Sequence, residues 1–229
     1  CSGWVYGLSV LSSLMQTGNI KKAILLAGDA RKQAKEELDQ LFGYACTATA
    51  LEYSKEAKPF YFDLGTDGTG YDAIIRPGGG CRNQFNEDSL KLELCEDGRK
   101  RHAIQTRMKG MDVFAFGITT APKSIKKLTA NYEMDYTSFD YVILHQANYK
   151  MTETIRKKLK LDAEKMPYSM LHFGNTSSAS IPLTIVTQLK GKIEDKPTKI
   201  IGCAFGVGLS WGTVAFETEH LLISELVEV

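Results

Sequence analysis

Short strand patterns alternate with helical patterns along the whole chain of 229 residues, and this alternation limits the fold class. Strands are predicted at residues 22–28, 41–53, 60–64, 71–76, 141–144, 199–205 and 210–217. Helices are predicted at residues 111–132, 149–161 and 178–190, and directly after Cys1. Because the two kinds of element are interleaved, the chain is expected to fold as an α/β protein.

The sequence also indicates the burial, the turns and the pairing of some of these segments. Residues 22–28 (KAILLAG) are expected to form a buried strand, and residues 41–53 a central one. Two strands are expected to flank the turn at residues 65–68, while residues 29–40 form a surface loop or a short helix. The strands at 199–205 and 210–217 are joined by a short glycine turn, which predicts an antiparallel pair.

The net charge and the cysteine content limit the binding partners and the cellular compartment that we expect. The formal net charge is +1, so no bulk electrostatic argument indicates nucleic acid or a membrane surface as a partner. The five cysteines are odd in number and show no metal-like CxxC pairing. We therefore expect free thiols, a reducing cytoplasmic location and no metal site.

Cys1 directly precedes a helical pattern formed by Val5, Leu8 and Leu11, with Leu14 and Met15 continuing it toward a stop at Gly18. A sulfur at the N-terminal end of a helix meets free backbone N–H groups and the positive end of the helix dipole, which favour a thiolate. The alternative is a small buried cysteine that only packs.

Two further polar residues stand where a strand ends or a helix starts, as active-site residues do in α/β folds. His145 follows the predicted strand at 141–144, and Asn175 precedes the predicted helix at 178–190. A cysteine nucleophile, a histidine that handles protons and an amide donor can together perform acyl transfer. The turn Gly206-Val207-Gly208 can direct backbone N–H groups at an oxyanion.

Each feature also has a structural interpretation when taken alone. His145 can be a satisfied core histidine, and Asn175 a turn residue or helix cap. The glycine turn can be only a hairpin connection. The lysines that follow residue 149 can be a solvated helix face.

Together, the order and local sequence of these features resemble the 3-oxoacyl-(acyl-carrier-protein) synthase III family of the thiolase superfamily. The matching strings are CSG at residues 1–3, HQAN at 145–148, GNTSSASIP at 174–182 and GVGLSWG at 206–212. A softer match covers residues 107–114. The resemblance implies a thiolase-like fold with layers α/β/α/β/α and mixed sheets.

The resemblance implies a catalytic role for three side chains. Cys1 would take an acyl group from a coenzyme A thioester, and His145 and Asn175 would bind the thioester carbonyl of malonyl-carrier-protein. Decarboxylation then gives an enolate that attacks acyl-Cys1, which yields a 3-oxoacyl-carrier-protein in the initiation of fatty acid synthesis. The backbone N–H groups of Cys1 and Val207 would hold the oxyanion of the acyl step. No cofactor is implied.

Further residues are assigned to substrate and partner binding by the same resemblance. Asn148 and Phe205 would contact the pantetheine arm, with Phe205 near the tunnel mouth. Lys150, Lys157 and Lys158 would meet the acidic acyl carrier protein. Lys150 replaces a family arginine, which keeps the charge but loses the bidentate fork. A homodimer is implied for the full-length protein.

The match also predicts how the chain is divided. Residues 1–107 would be the remainder of an N-terminal thiolase-like half carrying the nucleophile, and residues 108–229 the C-terminal half. Because family chains begin well before the nucleophile, we expect an incomplete N-terminal half and a C-terminal fragment. Residues 44–47 (YACT) depart from the usual Asp-Gly-Ala-Gly run of the family.

Three other functions stay open. An N-terminal-nucleophile amidohydrolase also begins at a cysteine, but it needs a strand directly after that residue. A related condensing enzyme of secondary metabolism would keep the same catalytic residues and join a different acyl pair. A non-catalytic homologue would keep the fold without turnover.

Overall fold

The computed structural model describes residues 1–29 and 41–228. Its α-helices are α1 (Gly3–Gln16), α2 (Gly110–Asn131), α3 (Tyr149–Leu159), α4 (Met170–Phe173) and α5 (Ser180–Thr184). Its strands are β1 (Lys22–Gly28), β2 (Cys46–Glu52), β3 (Tyr61–Thr66), β4 (Ile74–Ile75), β5 (Glu93–Leu94), β6 (Lys100–Arg101), β7 (Arg107–Met108), β8 (Tyr141–Leu144), β9 (Thr198–Gly206) and β10 (Ser210–Thr218). Most of the loop or helix predicted for residues 29–40 lies outside the described residues.

A mixed sheet of four strands, in the order β3-β10-β9-β8, forms the centre of the fold. β9 and β10 pair antiparallel, as predicted from the short glycine turn between them, and β10 also pairs antiparallel with β3. β8 lies parallel to β9, with Leu144 opposite Cys203. The C-terminal end of β8, where His145 follows, therefore lies beside the C-terminal end of β9.

Helices cover both faces of this sheet. One hydrophobic cluster packs α2 and α3 against the sheet through residues such as Ile125, Ile155 and Ile201. A second cluster packs α1 and the α5 segment on the opposite face through Leu8, Ile181 and other residues. The second layer of helices also contacts β1 and β2, where the Trp4 Nε1–H donates to Thr49 Oγ1 at 2.9 Å.

Four successive layers therefore lie in the order α2/α3, central sheet, α1/α5 and the β1–β2 pair. This arrangement confirms the predicted thiolase-like α/β class. The predictions of a buried strand at 22–28 and a central strand at 41–53 are wrong, because β1 and β2 pair with each other and only one of their faces meets α1 and α5. On the other face, Ile24 and Leu26 are 68% and 69% exposed.

Strands lie on both sides of the predicted turn, as expected, with β3 before it and the two-residue β4 after it. The Asp67 carboxylate accepts hydrogen bonds from the backbone N–H and the hydroxyl of Thr69, which starts a 3-10 turn at Gly68–Gly70. The chain therefore leaves the central sheet after β3. β4 pairs instead with β7, more than thirty residues further along.

The long helices agree with the sequence patterns. α1 follows Cys1 directly, where the amidohydrolase alternative needs a strand, so the structure does not support that alternative. Its buried face uses Val5, Leu8 and Met15, while Leu14 is 47% exposed. α2 contains Pro122 within its length, as predicted. No helix in the described ranges combines the length and apolar character that crossing a bilayer requires.

Candidate active site

Cys1 lies immediately before the 14-residue helix α1, with Ser2 at the N-cap position. The Ser2 carbonyl accepts from the Tyr6 N–H at 3.1 Å, and the Ser2 hydroxyl bonds to that of Ser210 at 2.9 Å. The first bond closes the first turn of α1, and the second ties the start of α1 to the start of β10. The Cys1 thiol is free and partly buried at the end of a helix where a negative charge is stabilised.

Gly206, the last residue of β9, lies against Cys1. A Cβ atom placed on Gly206 would be 3.0 Å from the Cys1 Cβ and 3.2 Å from the Sγ. Because real Cβ atoms rarely approach other atoms so closely, a side chain at this position would require the strand and the nucleophile to move apart by a few tenths of an ångström. Val207 follows Gly206 in the connecting turn and is 53% exposed.

His145 is almost fully buried where β8 ends, and its backbone N–H donates to the Cys203 carbonyl at 2.8 Å. The Nδ1 atom lies 2.9 Å from the Ser180 hydroxyl. The ring meets Phe205 edge-on, with centroids 5.5 Å apart. Burial lowers the pKa of His145 to about 3, so the imidazole is neutral at physiological pH.

Asn175 is buried, and both its backbone and its side chain are held. Its backbone N–H donates to the Leu41 carbonyl at 2.8 Å, and its carbonyl accepts from the Gly43 N–H at 3.0 Å. The side-chain Oδ1 accepts from the Ser177 N–H at 2.9 Å. Because the Oδ1 is engaged in this way, the amide presents its NH₂ group as the donor for a ligand.

The elements that carry Cys1, His145 and Asn175 adjoin one another. Ser180, five residues after Asn175, bonds to the His145 ring. Ser178 lies against the start of α1, 3.4 Å from the position of a Cβ on Gly3. These hydrogen bonds and packing contacts place the segments that carry the three residues next to one another. Their catalytic roles stay predictions.

The two residues predicted to bind pantetheine are held by local contacts. The Asn148 Oδ1 caps α3 by accepting from the Met151 N–H at 2.9 Å, which leaves its NH₂ group as a donor. Phe205 is 2% exposed and packs on His145 and Phe116. Pantetheine binding by both residues stays a prediction.

The three lysines predicted to meet a carrier protein lie outside the buried site, on the exposed surface of α3. Lys150 extends toward the Phe114 ring, 6.0 Å from its centroid, and Lys158 donates to the Ile118 carbonyl at 3.0 Å. The neighbouring Arg156 is engaged by Glu153, with 2.8 Å between Nε and Oε1. Lys157 and Lys158 therefore carry the basic charge at the end of this helix.

Sequence reasoning did not identify Ser180, Gly206 or Gln146 as individual contributors to the site. Ser180 and Gln146 lie within the strings that carry the family resemblance, but sequence similarity does not show which atoms these residues form hydrogen bonds with. Gly206 was visible only as part of a turn. Its packing against Cys1 joins the two ends of the chain and has no local signature.

A cysteine at a helix start, with a histidine and an asparagine at adjoining element ends of a layered α/β fold, defines the thiolase-like class. Comparison with known protein families agrees with this assignment. A model of 3-oxoacyl-(acyl-carrier-protein) synthase III matches residues 1–68, and the model of that family's C-terminal part matches residues 129–218. Together these matches cover well over half of the chain. The chain belongs to the 3-oxoacyl-(acyl-carrier-protein) synthase III family.

Individual relatives support the assignment. The chain is 30% identical to beta-ketoacyl-(acyl-carrier-protein) synthase III of Clostridium tetani, over 92% of this chain and 64% of that protein. It is 31% identical to the Synechocystis protein of the same name, over 92% and 63%. A crystal structure of a 3-oxoacyl-(acyl carrier protein) synthase from Burkholderia xenovorans superposes with a TM-score of 0.86 at 32% identity, covering 100% of this chain and 65% of that one. The chain thus spans 63–64% of the length of these curated relatives.

Proposed function

We propose that this chain carries the catalytic residues of a decarboxylating condensing enzyme that joins an acyl-CoA primer to malonyl-carrier-protein in fatty acid synthesis. The names of the relatives support the reaction class. The observation that carries the proposal is the placement of Cys1 against Gly206 beside the buried His145 and the segment of Asn175.

In the first step, the Cys1 sulfur attacks the carbonyl of the acyl-CoA, and the C–S bond to coenzyme A breaks. Coenzyme A leaves as a thiol with the proton that Cys1 gives up. The oxyanion formed on the way is held by the backbone N–H groups of Cys1 and Val207, for which an exposed turn beside the nucleophile is suitable.

In the second step, the malonyl thioester oxygen accepts hydrogen bonds from the His145 Nε2–H and the Asn175 NH₂ group. This tautomer requires the Ser180 hydroxyl to turn from the Ser177 carbonyl and donate to the His145 Nδ1. The bond to the carboxylate breaks, carbon dioxide leaves, and its electron pair passes into an enolate. The enolate carbon attacks the acyl-Cys1 carbonyl, and the Cys1 thiolate leaves. A neutral imidazole suits this role, because it donates a hydrogen bond to the oxygen without adding a buried positive charge to the site.

Substrate and partner contacts belong to the same proposal. Asn148 and Phe205 border the pantetheine arm, and Lys150, Lys157 and Lys158 attract the acidic carrier protein to α3. We expect the full-length protein to be a homodimer, with residues 1–107 and 108–229 as its two thiolase-like parts. The cytoplasmic location predicted from the cysteine pattern stays a prediction.

The proposal is tested with the full-length protein and radiolabelled acetyl-CoA or longer acyl-CoAs. The label should remain on the protein and disappear in Cys1→Ala, while Cys46→Ala, which removes an exposed thiol, retains it. Release of carbon dioxide from malonyl-carrier-protein should fall about 10²–10³-fold when Asn175 is replaced by leucine. Wild-type protein that takes up no acyl group and releases no carbon dioxide would refute the proposal.

A further inference from the structure

Gln146 follows His145 directly and is completely buried, with no exposed surface. Its carboxamide makes three hydrogen bonds. The Nε2 donates to the Leu144 carbonyl at 2.8 Å. The Oε1 accepts from the backbone N–H groups of Ser169 at 3.1 Å and Met170 at 3.3 Å. A buried carboxamide would be costly without partners, and the three partners that the described residues provide here are main-chain groups.

These bonds connect the two segments that carry the proposed donors to the thioester oxygen. Leu144 ends β8 and His145 follows it, whereas Ser169 and Met170 begin the segment that leads through α4 to Gly174 and Asn175. α4 has only four residues, so intrinsic helix formation cannot fix its position. A second bond, 2.7 Å between the Ser169 and Thr184 hydroxyls, holds the same segment to α5.

We propose that Gln146 is a positioning residue that sets the distance and orientation between His145 and Asn175. This inference rests on the proposed function, because it assigns Gln146 to the decarboxylation step of that reaction. Decarboxylation needs both donors on a single oxygen, whereas acyl transfer to Cys1 uses the nucleophile and its backbone oxyanion contacts. Loss of the Gln146 bonds should therefore impair one step and spare the other.

The test compares Gln146→Met with wild type in the full-length protein. Methionine has a similar shape and removes all three hydrogen bonds. Carbon dioxide release from malonyl-carrier-protein should fall about 10- to 100-fold in kcat, because a displacement of up to 1 Å has effects of this size. Acyl transfer to Cys1 should stay within about threefold of wild type by the same reasoning, since that step does not use the displaced pair.

Two further variants separate positioning from general damage. Gln146→Glu, in its protonated form, accepts from both N–H groups and donates to Leu144, so it should recover decarboxylation at low pH relative to the methionine variant. Gln188→Met makes the same change at a half-buried glutamine that bonds to Thr187, and both steps should remain at the wild-type rate.

A structural readout tests the inference without relying on turnover. Hydrogen exchange measured on residues 167–176 should be faster in Gln146→Met than in wild type. The reason is that the Ser169 and Met170 amides lose the hydrogen bonds that protect them from exchange. Unchanged exchange there, or an equal loss of acyl transfer and decarboxylation, would overturn the positioning role. An inactive wild type would instead refute the proposed function, and the exchange result would still decide the role of Gln146.

Discussion

Replacing Gly206 with alanine is expected to slow acyl transfer to Cys1. The added methyl group would meet the Cys1 Cβ at 3.0 Å and its Sγ at 3.2 Å. Carbon and sulfur atoms pack comfortably at about 3.5–4.0 Å, so strand and nucleophile must separate by roughly 0.5 Å. The backbone of Gly206 does not have the positive φ that alanine would resist, so the contact alone causes the effect.

The size of the effect follows from this displacement. A misplacement of 1 Å can cost about 10²-fold in rate, so a shift of half that size should slow acyl transfer about tenfold. Tenfold corresponds to about 1.4 kcal/mol of activation free energy. Overpacking also destabilises cores by about 1–3 kcal/mol, which lowers the melting temperature by several degrees.

The assay is release of coenzyme A from acyl-CoA in a single turnover, with intact mass of the acylated protein as a second measurement. Gly110→Ala is the matched control, because a Cβ there would meet no atom within 4 Å. If Gly206→Ala forms acyl-Cys1 within twofold of the wild-type rate, the close packing of β9 against Cys1 does not position the nucleophile.

Other outcomes follow from the charged and titrating groups. Asp63→Asn should lower the free energy of unfolding by about 1–3 kcal/mol in denaturant melts, because the buried carboxylate accepts from Lys127 at 2.6 Å. Reversing the charge of both Lys157 and Lys158 to glutamate should raise the KM for malonyl-carrier-protein and leave acyl transfer from acyl-CoA unchanged. For His145, the pKa of about 3 lies below the reference value of 6.5, so the unfolded state binds the extra proton. Stability should therefore fall as pH drops from about 6.5 toward 3, and His145→Gln should weaken this dependence in thermal melts.

For each of these three predictions, one result would contradict the reasoning. An Asp63→Asn protein as stable as wild type would mean that the buried carboxylate adds nothing to packing of β3 against α2. A KM insensitive to both lysines, and to ionic strength, would remove α3 as the carrier-protein surface. An unaltered pH profile in His145→Gln would show that other groups cause the loss of stability in acid.

Local patterns predicted the elements whose partners are close in sequence. The β9–β10 hairpin and α3 were found because a glycine turn and a buried row of Met151, Ile155 and Leu159 specify them without outside help. The prediction for residues 22–28 was correct in its limits and wrong in its burial. A run such as KAILLAG fits both a covered strand and one with an open face, so its environment depends on distant elements.

In the candidate active site, too, the local sequence identified the residues but not the long-range contacts that hold them. Cys1, His145 and Asn175 were identified because reactive residues at element ends stand out and the surrounding strings resemble a family. The contacts that hold them were not predictable, because Gln146 reaches Ser169 and Met170 across more than twenty residues. The partner of β4 was not predicted for the same reason, since nothing near residue 74 indicates a partner beyond residue 106.

The parallel pairing of β8 with β9 has a consequence for how such a protein can change. Because main-chain bonds hold His145 and Gly206 at the ends of neighbouring strands, their separation is independent of which apolar side chains fill the layers on either side. Core residues can drift during evolution without moving the reactive groups. Deleting a single residue from either strand would shift the ladder by one step and dismantle the catalytic centre at once.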